Sequence, residues 1–133
     1  MRFAFQSLPG SPVDIPRPTV AITAEGPLER ARLLALVDTG ALFNRFGRWV
    51  ADEIGIDLDG LPVEHIGLGG YALETVTTTV TLTMDEFSWE APVGFCEPWP
   101  FAFQIVGQEG FLRWFTVTID AADQTLTIEP NDR

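Results

Sequence analysis

The sequence is most informative at Leu33-Leu34-Ala35-Leu36-Val37-Asp38-Thr39-Gly40-Ala41, where an apolar run leads directly into Asp-Thr-Gly and a small residue. The apolar run predicts a strand buried on both faces, and Thr39-Gly40 supplies the turn that ends it. An aspartate there lies at the edge of a core, where burial raises the free-energy cost of its charge. Such a carboxyl is suited to exchanging a proton near neutral pH. Because Asp-x-Gly is also an ordinary turn sequence, a catalytic role for Asp38 needs support from elsewhere in the chain.

The composition limits the classes of function. The chain has 133 residues, of which 46% are hydrophobic, and this indicates one domain with a normal core. Its net charge of −11 argues against nucleic acid and anionic membranes as partners. No apolar run approaches membrane-spanning length and prolines interrupt the N-terminal region, so we expect a cytoplasmic protein without a signal peptide.

The residues needed for several kinds of catalytic site are scarce. His65 and Cys96 are the single histidine and cysteine, so a Ser-His-Asp or Cys-His arrangement and a multi-histidine metal site each lack components within one chain. We therefore expect no metal and no cofactor. Cys96 is expected to be a small core or rim residue.

The hydrophobic pattern predicts an all-β protein. Residues 1–18, rich in Pro, Ser and Gly from residue 7, are expected to form an extended N-terminal arm, with a single domain over residues 19–133. Residues 75–84 alternate strictly, with threonines on the face expected to meet solvent. The other predicted strands span 19–24, 31–37, 87–91, 101–105, 115–119 and 126–128. These short strands point to a barrel or sandwich.

One helix is predicted, over residues 46–54. Phe46, Trp49, Val50 and Ile54 recur at helical spacing, and Gly47 suggests that the helix is short. Asn44 is the predicted N-cap. Gly55 is the predicted C-terminal stop.

Three segments, in order along the chain, resemble the retropepsin-like aspartic proteases, which include retroviral proteases and bacterial single-domain relatives. The first is Leu36–Ala41. The second, Ile66-Gly67-Leu68-Gly69-Gly70-Tyr71, is similar to the glycine-rich tip of the flap that folds over substrate in that family. The third runs from Ile105-Val106-Gly107 through Gly110-Phe111-Leu112 to Phe115–Asp120, and resembles the family's hydrophobic-hydrophobic-Gly strand, short helix and final hairpin.

This resemblance implies a single-domain acid-protease barrel with one or two short helices, and aspartic endopeptidase activity on a peptide or protein. In that chemistry two carboxyls share a proton, one activating water and the other polarising the scissile carbonyl. Because Asp-Thr-Gly occurs once here, the second aspartate would come from another copy in a two-fold homodimer. The implied catalytic residues are Asp38, Thr39 and Gly40, with Thr39 bonding across the axis. The implied substrate-binding residues are Ala41, Gly67, Leu68, Gly69 and Gly70.

Two positions depart from the retroviral pattern. Retroviral members usually have Asp where this chain has Leu42, and Arg where it has Gln108, and in the family those two residues pair. Loss of both is expected when an ion pair is replaced as a unit, because one charge left alone is costly. This change does not affect the implied pair of catalytic aspartates. How the dimer is braced and how the ends of the substrate are bound are not predicted.

Two other interpretations remain. The chain could keep a retropepsin-like fold as a non-catalytic protein- or peptide-binding module. It could instead be an unrelated small β-barrel that binds a partner through its tryptophans, Trp49, Trp89, Trp99 and Trp114. The discriminating observation is whether two chains bring their Asp38 carboxyls within hydrogen-bonding range.

Overall fold

The structure, a computed structural model, describes residues 1–132. The strands are β1 (Arg2–Ala4), β2 (Gln6–Ser7), β3 (Pro16–Arg17), β4 (Thr19–Glu25), β5 (Arg30–Val37), β6 (Asn44–Gly47), β7 (Glu64–Leu68), β8 (Tyr71–Met84), β9 (Phe87–Glu97), β10 (Gln104–Val106), β11 (Phe115–Asp120) and β12 (Thr125–Pro130). One α-helix, α1 (Arg48–Ile54), follows β6, and a π-helical turn covers Gln108–Leu112. No helix in this part of the chain is long and apolar enough to cross a membrane.

Six strands close into a barrel. Their order is β4-β5-β10-β6-β9-β8, and β8 pairs back onto β4 through residues 81–83 and 23–25. The β5–β10 and β6–β9 pairs are parallel, and the others are antiparallel. The strand β7 pairs only with the first part of β8 and projects as a hairpin. The prediction of an all-β barrel with one or two short helices is confirmed.

Alternation along the strands builds the core. In β5, Ala31, Leu33, Ala35 and Val37 point into the barrel, whereas Leu34 and Leu36 are partly exposed outside it. The expectation of a strand buried on both faces was therefore wrong for the outer face, because no second layer fully covers that side of β5.

The threonine-rich strand β8 follows its predicted pattern with one exception. Val76, Val80, Leu82 and Met84 are buried, while most of the threonines between them are exposed or partly exposed. Thr75 is only 1% exposed, because its hydroxyl is covered by groups from β6 and β9.

The helix α1 begins later than predicted. Residues 44–47 pair in parallel with residues 93–96 of β9, so Phe46 lies in a strand, and the helix starts at Arg48 with Trp49 46% exposed. The residue before the helix is Gly47 and no side chain caps it, so the prediction of Asn44 as N-cap was wrong. Gly55 ends the helix as predicted: it has a φ of 84° and donates its N–H to the Ala51 carbonyl.

The two ends of the chain share a second sheet, with strand order β1-β12-β11. Arg2–Ala4 pair with Thr125–Thr127, and the Met1 ammonium donates to the Ile128 carbonyl at 2.8 Å. Within residues 1–18, β2 and β3 also form a two-stranded ribbon. The division of the chain at residue 18 stays a prediction.

Candidate active site

Asp38 lies where β5 leaves the barrel. Its N–H donates to the Val106 carbonyl at 3.0 Å, which continues the β5–β10 ladder by one residue. Its Oδ1 accepts the Gly40 N–H at 3.0 Å, and its carbonyl accepts the Ala41 N–H at 3.2 Å. Asp38 is partly exposed, and Thr39 and Gly40 are exposed. The strand thus delivers a carboxylate to the surface in a defined orientation, within a tight turn.

The turn after Asp38 is fastened to the segment that follows β10. The Gln108 N–H donates to the Ala41 carbonyl at 2.9 Å, and the Glu109 N–H donates to the Leu42 carbonyl at 2.8 Å. The Gln108 side-chain amide donates to the Thr39 carbonyl, also at 2.9 Å. Gln108, singled out in the sequence only as a departure from the retroviral pattern, therefore braces the Asp-Thr-Gly turn within one chain. Leu42 itself is 52% exposed.

Gly107 and Gly110 permit this close approach. A Cβ on Gly107 would lie 2.4 Å from the Ala41 carbonyl oxygen, a backbone atom that cannot move without moving the turn. A Cβ on Gly110 would lie 2.1 Å from the Asn44 side chain. Both glycines are needed because other groups occupy the space of a side chain.

Asn44 links three parts of this region from inside the protein. It is fully buried, its Oδ1 accepts the Gly107 N–H at 3.0 Å, and its Nδ2 donates to the Gly110 carbonyl at 3.0 Å. The same Gly110 carbonyl accepts the Trp89 indole N–H at 2.9 Å. Asn44 thus connects β6 to the segment that braces the Asp38 turn. A lone Asn carries no local sequence signal for this role.

The predicted flap is a projecting hairpin, and its residues 64–68 pair with residues 71–75. Gly69 and Gly70 form its tip with φ of 57° and 85°, which favour glycine. A groove of about 1090 Å³ runs along the hairpin, lined by residues 65–74 with Glu97 and Pro98. Asp38 is not among its lining residues. The structure thus gathers Gly67, Leu68, Gly69 and Gly70 at one tip, and no hydrogen bond in residues 1–132 joins that tip to residues 38–41.

The hairpin tip lies against an aromatic loop. A Cβ on Gly69 would lie 3.6 Å from Phe101, and Tyr71 meets the Phe101 ring edge to face at 6.0 Å. Phe101 also packs on Trp99 and Phe103 at 5.2 Å each. The prediction of a strand from Phe101 was wrong, because β10 begins at Gln104 and the preceding residues form this loop.

Two further expectations concern metal ions and the cysteine. Residues 1–132 contain no cluster of three or more His, Cys, Asp or Glu side chains that could hold a metal ion. The expectation that neither metal nor cofactor is needed stays a prediction. Cys96 is fully buried, as expected of a small core residue, and burial raises the pKa of its thiol despite the Thr75 hydroxyl and the nearby Arg45 charge.

Comparisons with known proteins identify the fold. No family model matches the chain, and no curated protein matches it in sequence. The chain is similar to the crystal structure of the retroviral protease-like domain of Ddi1 from Leishmania major, with a TM-score of 0.63 and 17% identity, over 86% of this chain and 90% of that one. It is also similar to a retropepsin-like aspartic protease from Rickettsia conorii, with a TM-score of 0.60 and 16% identity, over 97% and 98% of the two chains. The chain therefore has a retropepsin-like fold, and the interpretation as an unrelated barrel was wrong.

Proposed function

We propose that this protein is an aspartic endopeptidase that works as a two-fold homodimer, with one Asp38 from each subunit. The observation that carries the proposal is the position of Asp38 in a retropepsin-like fold. It directly follows barrel strand β5, begins the sequence Asp-Thr-Gly-Ala, and has its carboxylate oriented by the Gly40 N–H. The bracing of the turn by Gln108 supports this proposal, because a catalytic carboxylate must be held in place by its surroundings.

In the proposed dimer the two Asp38 carboxyls face each other across the axis and share one proton. Two adjacent carboxylates repel, so the pair holds a single proton over a wide pH range, a pattern well known from aspartic proteases. The ionised carboxyl takes a proton from water as the water attacks the peptide carbonyl, and the protonated one donates a hydrogen bond to that carbonyl's oxygen. Thr39 is proposed to bond across the axis, and Gly40 to leave room for the substrate backbone.

The peptide is proposed to lie extended between the two Asp38 turns and the two flap hairpins. Ala41 would contact it from the turn, and Gly67, Leu68, Gly69 and Gly70 from the flap. Extended backbone needs hydrogen-bonding partners along its length, and the exposed tip of the hairpin carries backbone groups able to provide them.

The competing function is a retropepsin-like module that binds a protein or peptide without cleaving it. It is favoured by one observation, the replacement of the family's charged pair by Leu42 and Gln108. In this chain Gln108 braces the turn of its own subunit, which a binding module would also require.

A digest of a peptide library between acidic and neutral pH, with wild type beside Asp38→Asn, tests the proposal. We expect the variant to lose cleavage while its circular dichroism spectrum and dimer mass are unchanged, because the amide keeps the acceptor for Gly40 N–H but cannot share the proton. Asp57→Asn is the matched control, since the Asp57 carboxylate accepts the Asp59 N–H in a similar exposed turn at 2.9 Å. Cleavage by wild type should persist with a chelator.

Three outcomes would contradict the proposal. Equal cleavage by Asp38→Asn and wild type would remove Asp38 from the mechanism. A monomer at high micromolar concentration, by light scattering, would favour the binding module. Absence of cleavage with retained peptide binding would establish the binding module instead.

A further inference from the structure

We propose that Arg45 forms a binding site for a carboxylate of the bound peptide, so that the protein selects an acidic side chain near the scissile bond. This inference rests on the proposed function for its location in a substrate cleft. It starts from an arginine that is partly buried, on the sheet that carries Asp38, and that forms no ion pair within residues 1–132.

Strand register places Arg45 and Asp38 on the same face. Ile105 of β10 pairs with Leu36 of β5 on one side and with Arg45 of β6 on the other, so these three side chains point to the outer face of the barrel. Asp38 is two residues after Leu36, so its position shares that face. Two strand spacings and two residues separate the Cα atoms of Arg45 and Asp38 by about 12 Å.

The Arg45 guanidinium extends from this face to the base of the flap. Its Nη1 donates to the Thr75 hydroxyl at 3.4 Å, and Thr75 pairs with Glu64 at the base of the hairpin. The guanidinium therefore lies on the sheet face that bears Asp38, beside the residue from which the flap hairpin projects. A substrate held between these two elements passes beside it.

The surroundings of Arg45 are arranged to hold this side chain. Gly94 is its neighbour on β9, and a Cβ there would lie 2.6 Å from Nη1, so the glycine lets the arginine cross the strand. The Phe43 ring lies 5.4 Å from the guanidinium carbon in a cation–π contact. Gly94 on β9, Thr75 on β8 and Phe43 just before β6 thus hold the guanidinium in place.

The hydrogen-bonding capacity of Arg45 is largely unused. A guanidinium has about five N–H donors, and in residues 1–132 one protein acceptor, the Thr75 hydroxyl, is paired with it. A partly buried charge without a counter-ion is unfavourable unless a ligand supplies one. A planar carboxylate is the group that arginine binds best, through two parallel hydrogen bonds. Of the four arginines in residues 1–132 that form no ion pair, Arg45 is the one that is partly buried.

The test compares peptides that differ only by Glu or Gln, scanned over about four positions on each side of the bond, which matches the 12 Å separation at about 3.3 Å per extended residue. We expect wild type to cleave the Glu peptide about tenfold or more faster in kcat/KM at one or more positions, since a hydrogen bond to a charged group has that value. Arg45→Met should reduce this ratio to about one while still cleaving the Gln peptide.

The matched control is Arg32→Met, which removes the same charge from an exposed site on β5, six residues before Asp38. Arg32→Met should keep the preference for Glu if the preference comes from direct contact with Arg45. A preference caused only by long-range attraction of an acidic peptide would instead fall equally in both variants. Arg45→Glu should reverse the preference, towards a Lys peptide. Wild-type cleavage of Glu and Gln peptides at equal rates at every position would overturn the inference while leaving the proposed peptidase intact.

A binding assay separates this inference from the proposed function. Affinity of Asp38→Asn for the Glu and Gln peptides should show the same preference without any cleavage, and should lose it when Arg45→Met is added. If wild type cleaves nothing but this preference in binding remains, the carboxylate site stands and the peptidase proposal fails. If Arg45→Met lowers only the free energy of unfolding and leaves both ratios unchanged, Arg45 has a purely structural role and the inference is wrong.

Discussion

Replacement of Asn44 by alanine is expected to destabilise the protein far more than its small volume suggests. The change leaves the buried Gly107 N–H without its acceptor, which costs about 1–3 kcal/mol. The Gly110 carbonyl also loses a donor but keeps the Trp89 indole, so this second loss is about 0.5–1.5 kcal/mol. The free energy of unfolding should therefore fall by about 1.5–4.5 kcal/mol, measured by equilibrium urea denaturation.

The matched control is Asn131→Ala. Asn131 donates to the Arg113 carbonyl at 3.1 Å near the surface, where water can replace the amide, and its loss should cost less than about 1 kcal/mol. Equal effects of the two substitutions, or a change below about 1 kcal/mol for Asn44→Ala, would refute a buried anchoring role for Asn44.

A double-mutant cycle tests the same contact from its other side. Gly110→Ala alone should destabilise the protein, because its methyl would lie 2.1 Å from the Asn44 amide. In the Asn44→Ala background that amide is absent, so the added methyl should cost much less and the two effects should not add. Strict additivity would show that the clash at Gly110 does not involve Asn44.

Three further predictions concern the flap, the cysteine and a surface ion pair. Gly69→Val should reduce turnover much more than Gly67→Val in a peptide-cleavage assay, because only Gly69 has a positive φ, which a β-branched residue resists; equal losses would argue against a special tip geometry. The Cys96 thiol should react slowly with a thiol reagent in the native protein and rapidly in urea, because burial raises its pKa; fast native labelling would contradict its buried position. The Arg113 hydrogen bond lowers the pKa of Glu109, so its stabilisation should be present at neutral pH and lost as the pH falls through that lowered value; a stability difference between wild type and Glu109→Gln that does not change with pH would contradict this.

Much of the architecture could be predicted because it depends on local patterns. The alternation along β8, the apolar run of β5 and the Gly55 stop each depend on neighbours a few residues apart, and the structure has each of them. The resemblance to retropepsin-like proteases likewise rested on motifs in their order along the chain, and the fold agrees with it. The roles of the predicted site residues and the homodimer remain proposals.

The predictions that failed concern contacts between distant segments. Asn44 has the sequence signature of a helix cap, but parallel pairing with Val93 draws it into a strand and turns its amide towards Gly107 and Gly110. Leu34 and Leu36 on the outer face of β5 are as apolar as the residues on its inner face, although the closed barrel buries only the inner face.

The amino-acid order determined strands such as β5 and β8 and the position of a carboxylate directly after one of them, since side-chain period and turn chemistry act over a few residues. Barrel closure decided which distant groups hold the turn that carries this carboxylate. It brought Gln108 to the Thr39 carbonyl across 69 positions of the chain, and it stretched Arg45 over Gly94 to Thr75. The sequence around each partner does not indicate such contacts, because they form between residues far apart in the chain and only when the strands pair.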